Sequence, residues 1–570
     1  MKKLIYLFIV IFSLSIVSCD EDYLERTPLD QISEPEFWKT ASDLKLYSNW
    51  FYNKLPGWAG VGNGFSANPD NGTDVSLYTT VPDGLNGNNT VPTAASGTIW
   101  SWDEVRRANY FLANVSKAEG DEASINQYTG EGYFFRAYFY YELLNRYGAL
   151  PIIDKYIDNT DTDYLYAARG PRNEVADFIL ADLDMAISLL KTKGDLSGEP
   201  RVSKEVAQLF KARVALFEGT WEKYHAGTEF GVSGSDGSAY LQQAADASKA
   251  VIDGGAFSLH ADYGSIFNQT DLSGNKEVML WRQYDYITYG RSYGNDSQYF
   301  PNRSGYTRFA VRSYLCKDGL PVSVSPLYKG DEMLDSLEIN RDPRLAATVM
   351  VPGDIEIINS NGDTVFFSVP ELSGNGMCPT AYETQKYRIL NVDEELNNVS
   401  KDLAKISFRY AEALLIYAEA KAELGTVSQG DLDVSINKLR DRVGMPHLTM
   451  ASITADPEWP DYGYTLTDVL YEIRRERSVE LLGEGFRSDD LRRWRAHNLF
   501  VGKRPRGAFY EDILKNANNK LTSDEEGYLD PYQGAIPTGY GFNPSRDYLS
   551  ALPSDELVLN ENLTQNPGWE

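Results

Sequence analysis

The stretch Glu131 to Gly148, EGYFFRAYFYYELLNRYG, constrains the fold more than any other part of the chain. Phe134, Phe135, Tyr138, Phe139, Tyr141 and Leu144 place apolar surface on more than one face of a helix built from it. Such a helix has to be central and covered on several sides. Core packing accounts for these aromatics better than a ligand-binding ladder does. Ala149-Leu150-Pro151 ends the segment, because proline disfavours helical geometry in the residue before it.

Narrower stripes recur along the chain and supply the covering elements. In Glu174–Leu190, the residues Val175, Phe178, Ile179, Leu183, Ile187 and Leu190 fall three or four apart, and Ser203–Phe217 behaves alike. From Ile406, ISFRYAEALLIYAEAKAELG sets Ile406, Tyr410, Ala413, Leu414, Tyr417, Ala420 and Leu424 on one face of a predicted helix ending at Gly425. Arg409, Glu412, Glu419 and Glu423 fall on the other face. Short helices of this kind bury their stripes best in antiparallel pairs, and the small-large spacing of Ala, Tyr and Leu resembles tetratricopeptide packing. Trp100 and Trp102 lead into a further helix through Val105, Asn109, Leu112 and Val115 and belong to the core.

Two insertions break the helical rhythm. Pro56–Thr98 is dominated by Gly, Asn, Asp, Ser, Thr and Pro and is far too long for a simple connector. The second runs from about Asp253 to Asn398, where Val278–Trp281 and Asp363–Val369 predict short strands and a minor β component.

The N-terminus concerns location. Lys2 and Lys3 precede an apolar run, Leu4–Val17, too short to span a bilayer, and Ser18 precedes Cys19. The pattern resembles a bacterial lipoprotein signal over residues 1–18, which implies a lipid anchor on Cys19; an ordinary signal peptide cut near Ser18 is the alternative. Asp20, Glu21 and Asp22 resemble the surface-export signal of Bacteroidetes lipoproteins. Without residues 1–18 the chain keeps 52 Lys and Arg (54 minus 2) against 82 acids, a net charge of −30. That charge argues against nucleic acid as a partner and against adsorption to an anionic membrane, leaving the lipid as the membrane contact. Cys316 and Cys378 cannot make a disulfide framework, and whether they pair is open.

The most specific internal segment is Tyr471–Trp494, YEIRRERSVELLGEGFRSDDLRRW. Asp489 with Arg493 and Arg487 with Asp490 stand at helical spacings that favour surface ion pairs. Arg474, Glu476, Arg477, Glu480, Leu481, Gly485, Arg487, Asp490, Leu491 and Trp494, in this order, resemble the signature of the SusD/RagB family of Bacteroidetes nutrient-uptake lipoproteins. Asp22-Tyr23-Leu24-Glu25, Phe37-Trp38, Arg136-Ala137, Arg409-Tyr410-Ala411-Glu412, Leu439–Gly444 and Gln565–Trp569 extend the resemblance over the full length. It implies a signal peptide over 1–18 followed by one α-rich domain over 19–570, with four tetratricopeptide-like helix pairs, long loops and small strands. It also implies a noncatalytic, cell-surface protein that captures oligosaccharide or polysaccharide for a SusC-like TonB-dependent transporter. Arg474, Glu476, Arg487 and Asp490 then belong to helix packing and buried ion pairs.

A sugar site needs aromatic platforms beside carboxylates, amides and guanidinium groups. Trp281–Tyr314 holds 7 tyrosines in 34 residues, about three times the rate of 38 in 570 for the whole chain. Tyr286, Tyr289, Arg291, Tyr293, Asn295 and Tyr299 are the candidate ligand contacts there. Trp58, Asp70, Asp74 and Tyr78 are the candidates in the first insertion, where Trp58 lies in a segment without helical period. Micromolar or weaker affinity suits capture followed by release. His225, His260, His447 and His497 stand far apart, with no H-E-x-x-H, G-x-S-x-G or Walker pattern, so neither metal nor cofactor is expected. Binding of peptides, as in the RagB branch, is the main alternative. Glycoside hydrolysis is a remote one, since no carboxylate sits in a recognisable hydrolase motif.

Overall fold

The computed structural model describes residues 37–58, 69–285, 304–374, 377–393, 398–399 and 402–570. Helix dominates strand by 40% to 8%, which makes the body mostly α. The principal helices are α1 (Ala41–Tyr52), α2 (Asp103–Asn114), α3 (Glu122–Tyr147), α4 (Arg172–Leu189), α5 (Lys204–Tyr224), α6 (Ser238–Gly254), α7 (Tyr410–Glu423), α8 (Ile436–Arg442), α9 (Asp468–Glu480) and α10 (Arg487–Arg493). Helices α2 to α7 pack in sequence order, each against the next, while α1 leans on α3 and α9 on α7. None of the described helices is long and apolar enough to cross a membrane.

Helix α3 is central, as its pattern predicts. The side chain of Asp121 caps its first turn by accepting from the Ser124 N–H, and Gly148 ends it at a φ of 70°. Phe134, Phe135 and Tyr140 are fully buried within the main core. Gly132 admits the neighbouring helix: a Cβ there would lie 2.6 Å from the Phe111 ring of α2.

Ion pairs pin the helices to one another. Arg136 of α3 meets Asp182 of α4 at 2.6 Å, and Arg172 of α4 meets Glu218 of α5 at 2.7 Å. Arg213 of α5 holds Glu412 of α7, and Arg493 of α10 holds Glu419 of α7. Glu480, at the end of α9, collects Arg344, Arg409 and Arg442 within 3.0 Å. Removing one member of such a buried pair leaves the other uncompensated, so the network makes relative helix placement specific.

The strands form four two-stranded antiparallel pairs among the described residues. β1 (Ser76–Tyr78) pairs with β3 (Ser304–Tyr306), and β2 (Val278–Arg282) with β8 (Lys405–Arg409). β4 (Ile355–Ile358) pairs with β5 (Thr364–Phe366), and β6 (Val392–Asp393) with β7 (Asn398–Val399).

Two local expectations change. Ile406–Arg409 is strand rather than helix, because pairing with β2 sets Phe408 opposite Leu280 and Ile406 opposite Trp281; the helix begins at Tyr410. Most charges of the Tyr471–Trp494 segment are buried rather than on a surface, while Arg475, Glu484, Asp489 and Arg492 are half-buried. Arg487 pairs with Asp74, while Asp490 pairs with Arg477 and Arg493, so the spacing-based partners exchange. Arg474 is paired with Glu423 and Glu476 with Arg344 and Arg440, the packing role the family resemblance implies. Cys316 and Cys378 are both buried free thiols.

Candidate ligand-binding site

The two insertions are tied together where they meet the helical body. Strands β1 and β3 register Ser76 with Tyr306, Leu77 with Gly305 and Tyr78 with Ser304. Thr307 reinforces the seam, its N–H donating to the Val75 carbonyl and its hydroxyl to that of Asp74. At the other end the Trp58 N–H donates to the Tyr284 hydroxyl at 2.8 Å. Gly57 is required for this approach, since a Cβ would lie 2.7 Å from the Tyr284 Oη and 2.8 Å from Arg282 Nη1. Regions far apart in sequence therefore meet twice, at the β1–β3 seam and at a Trp58–Tyr284 junction.

Trp58, a candidate ligand contact in the sequence, is a core residue of that junction. Its indole N–H donates to the Leu403 carbonyl at 2.8 Å, and its ring meets Tyr387 edge-on at 5.2 Å. The Lys405 ammonium stands 4.2 Å from the Trp58 ring centroid and 4.9 Å from that of Tyr387. Tyr263, Phe267, Trp281 and Tyr284 complete the cluster. A period-based argument missed this because every partner comes from Tyr263 onward in the chain. Burial pushes the Lys405 amine down to about 8, with Lys386 acting in the same direction and Glu484 and Asp70 opposing.

Asp70 and Asp74, candidate ligand contacts in the sequence, are also internal. The Asp70 carboxylate accepts the backbone N–H groups of Gly483 and Arg487 at 2.7 and 3.0 Å. Burial raises its pKa to about 6 against the pull of those donors. Asp74 receives Arg487 at two oxygens, 2.8 and 2.6 Å away. These acids anchor the first insertion to the signature segment. Tyr78 is half-buried on β1, where its carbonyl accepts from the Tyr532 hydroxyl. Tyr286, Tyr289, Arg291, Tyr293, Asn295, Tyr299 and Cys19 lie outside the described residues.

A cleft of about 680 Å³ opens beside the junction, lined by Tyr52, Arg201, Trp281, Arg282, Gln283 and Tyr284. Another, of about 350 Å³, holds Arg308, Arg312, Trp459 and Tyr471, and the last two rings stack at 4.6 Å and 6°. Both combine flat rings with fork-shaped donors, the surface that C–H faces and hydroxyls of a sugar require. Neither Tyr387 nor Lys405 stands out in the sequence, because contacts with the distant Trp58 create their roles. Trp459 carried a weak local signal in its Pro-, Asp- and Gly-bearing setting, PEWPDYG.

A family model described as "SusD family" matches residues 263–569, more than half of the chain. A second, described as "Starch-binding associating with outer membrane", matches residues 67–216. The chain belongs to the SusD family. It is 25% identical to SusD-like protein P2 of Formosa agariphila, with all of both chains covered. SusD-like protein P38 of the same organism is 24% identical over 86% of this chain and 91% of that one. Among solved structures, a SusD-like carbohydrate-binding protein from Bacteroides fragilis superposes with a TM-score of 0.70 at 21% identity, covering 93% of this chain and 100% of the other. A laminarin-binding SusD-like protein superposes with a TM-score of 0.54 at 20% identity, over 93% and 100%. These likenesses place the fold.

Proposed function

We propose that the chain is a noncatalytic glycan-capture lipoprotein, anchored through Cys19 in the outer membrane, facing the cell exterior and passing oligosaccharide to a SusC-like TonB-dependent transporter. The observation that carries this is that the two insertions are joined twice, by the β1–β3 pairing and by the Trp58–Tyr284 hydrogen bond, the latter within an aromatic cluster of Trp58, Tyr284 and Tyr387. Tyr78, Tyr286, Tyr289, Arg291, Tyr293, Asn295 and Tyr299 are the proposed ligand contacts. The carbohydrate and laminarin binding named for two proteins of the same fold supports the ligand class, and the outer-membrane association in the matched family description supports the location.

Platforms of this kind suit weak, reversible capture, because a stacked ring and a hydroxyl hydrogen bond each contribute about 1 kcal/mol. Tethering beside a transporter compensates by raising effective concentration. Affinity electrophoresis and calorimetry against polysaccharides and peptides test the proposal. Saturable glycan binding without product release is expected; binding confined to peptides, or appearance of cleaved glycan, overturns it.

A further inference from the structure

Among the described residues, 14 lysines and arginines are buried. Twelve of them have a carboxylate within ion-pair distance. A thirteenth, Arg341, donates to the backbone carbonyls of Val311 and Tyr314. Lys405 is the exception: at 7% exposure its ammonium meets only the faces of Trp58 and Tyr387, with no hydrogen-bond acceptor among the described residues. Burying an ammonium without an acceptor is expensive, and aromatic faces recover only part of that cost.

The residue directly across the strand pair makes the arrangement less favourable still. Arg282 registers opposite Lys405, and cross-strand partners project to the same face of a sheet, where like charges repel. Arg282 has no carboxylate partner among the described residues; it reaches only the Asn53 carbonyl at 3.5 Å and the Tyr284 ring. Both cations lie against Gly57-Trp58, Arg282 beside Gly57 and Lys405 over the Trp58 ring, and Arg282 also lines the cleft of about 680 Å³. Two cations beside aromatic faces, neither with an ion-paired carboxylate among the described residues, are suited to a ligand that brings a flat ring and a negative charge together, even with Glu484 and Asp70 acting on Lys405 from farther off.

We propose that Lys405 and Arg282 form a subsite for the acidic substituent of a saccharide, a uronic-acid carboxylate or a sulfate ester. The inference rests on the glycan site proposed above and narrows its substrate class. The net charge of −28 repels polyanions at a distance, but screening confines that repulsion to about 8 Å in physiological salt, so local cations decide contact.

The test uses the full soluble body and paired polymers differing in charge: polygalacturonate against its methyl ester, and dextran sulfate against dextran. The wild type should be retained by at least one charged member about ten- to a hundredfold more strongly than by its neutral counterpart. The carboxylate and sulfate arms identify which group is read. Lys405→Met keeps the aliphatic stem and should abolish the preference, whereas Lys405→Arg should retain it and its salt dependence. A charged member that is not retained more strongly than its partner in either arm, or a Lys405→Met protein that keeps the preference, overturns the subsite. Retention by neutral members alone leaves glycan capture standing, while binding of peptides alone removes both.

Discussion

Asp74 and Arg487, 413 positions apart, meet through two hydrogen bonds of 2.8 and 2.6 Å, with both side chains buried. This contact seats the first insertion on the segment that carries the family signature. Asp74→Ala alone should cost about 3–5 kcal/mol in denaturant unfolding, because it strands a buried guanidinium. Combining it with Arg487→Met should recover part of the loss. Additive losses would mean that the two residues act separately.

Acid should unfold the protein through Glu480. Burial raises its carboxyl, but Arg442, Arg409 and Arg344 outweigh burial and hold it well below the usual carboxylate range. A depressed folded pKa contributes stability that is present above the unfolded value of about 4.3 and is lost as pH falls below it. Circular dichroism should show an acid limb beginning near pH 4, flattened in Glu480→Gln and accompanied by lower stability at neutral pH.

Asp70 should act in the opposite direction. Its folded pKa, about 6, lies above the unfolded value of about 3.9, so the folded state favours the protonated form. Its contribution is fully present in acid below pH 4 and is lost as pH rises through 6. Between pH 7 and 5, stability relative to Asp70→Asn should therefore rise by roughly 1 kcal/mol; a constant difference would contradict this assignment.

The buried thiols give a simpler check. Burial pushes Cys378 up to about 12 and also raises Cys316. A protein beginning at Asp20 should show almost no reaction with a thiol reagent when native and two equivalents when denatured, and reductant should leave its melting temperature unchanged.

Anchoring separates binding from uptake. Cys19→Ala should keep ligand affinity in solution and lose uptake in cells, measured with labelled glycan. Persistent uptake would mean that the transporter contact suffices without the lipid.

Much of the helical body was legible because burial leaves a periodic record: the all-round apolarity of Glu131–Gly148 marked the central helix, and the stripe of Glu174–Leu190 marked α4. Ile406–Arg409 misled because its apolar spacing suits a helix until β2 supplies a pairing partner. Trp58, Asp70 and Asp74 misled for a related reason. Gly- and Asn-bearing surroundings describe backbone conformation but give no information about Leu403, Gly483 or Arg487, the distant groups that bury them. Lys405 carried no local signal, since its lack of an acceptor among the described residues emerges only in three dimensions.

The central claim is capture of glycan at the joined insertions, and calorimetric titration with a glycan identified from a polysaccharide panel tests it most directly. Wild-type protein should bind with micromolar or weaker affinity and release no shortened product, and Tyr78→Ala and Tyr289→Ala should each weaken binding about fivefold or more while unfolding like the wild type. Undiminished binding by both variants would contradict the account.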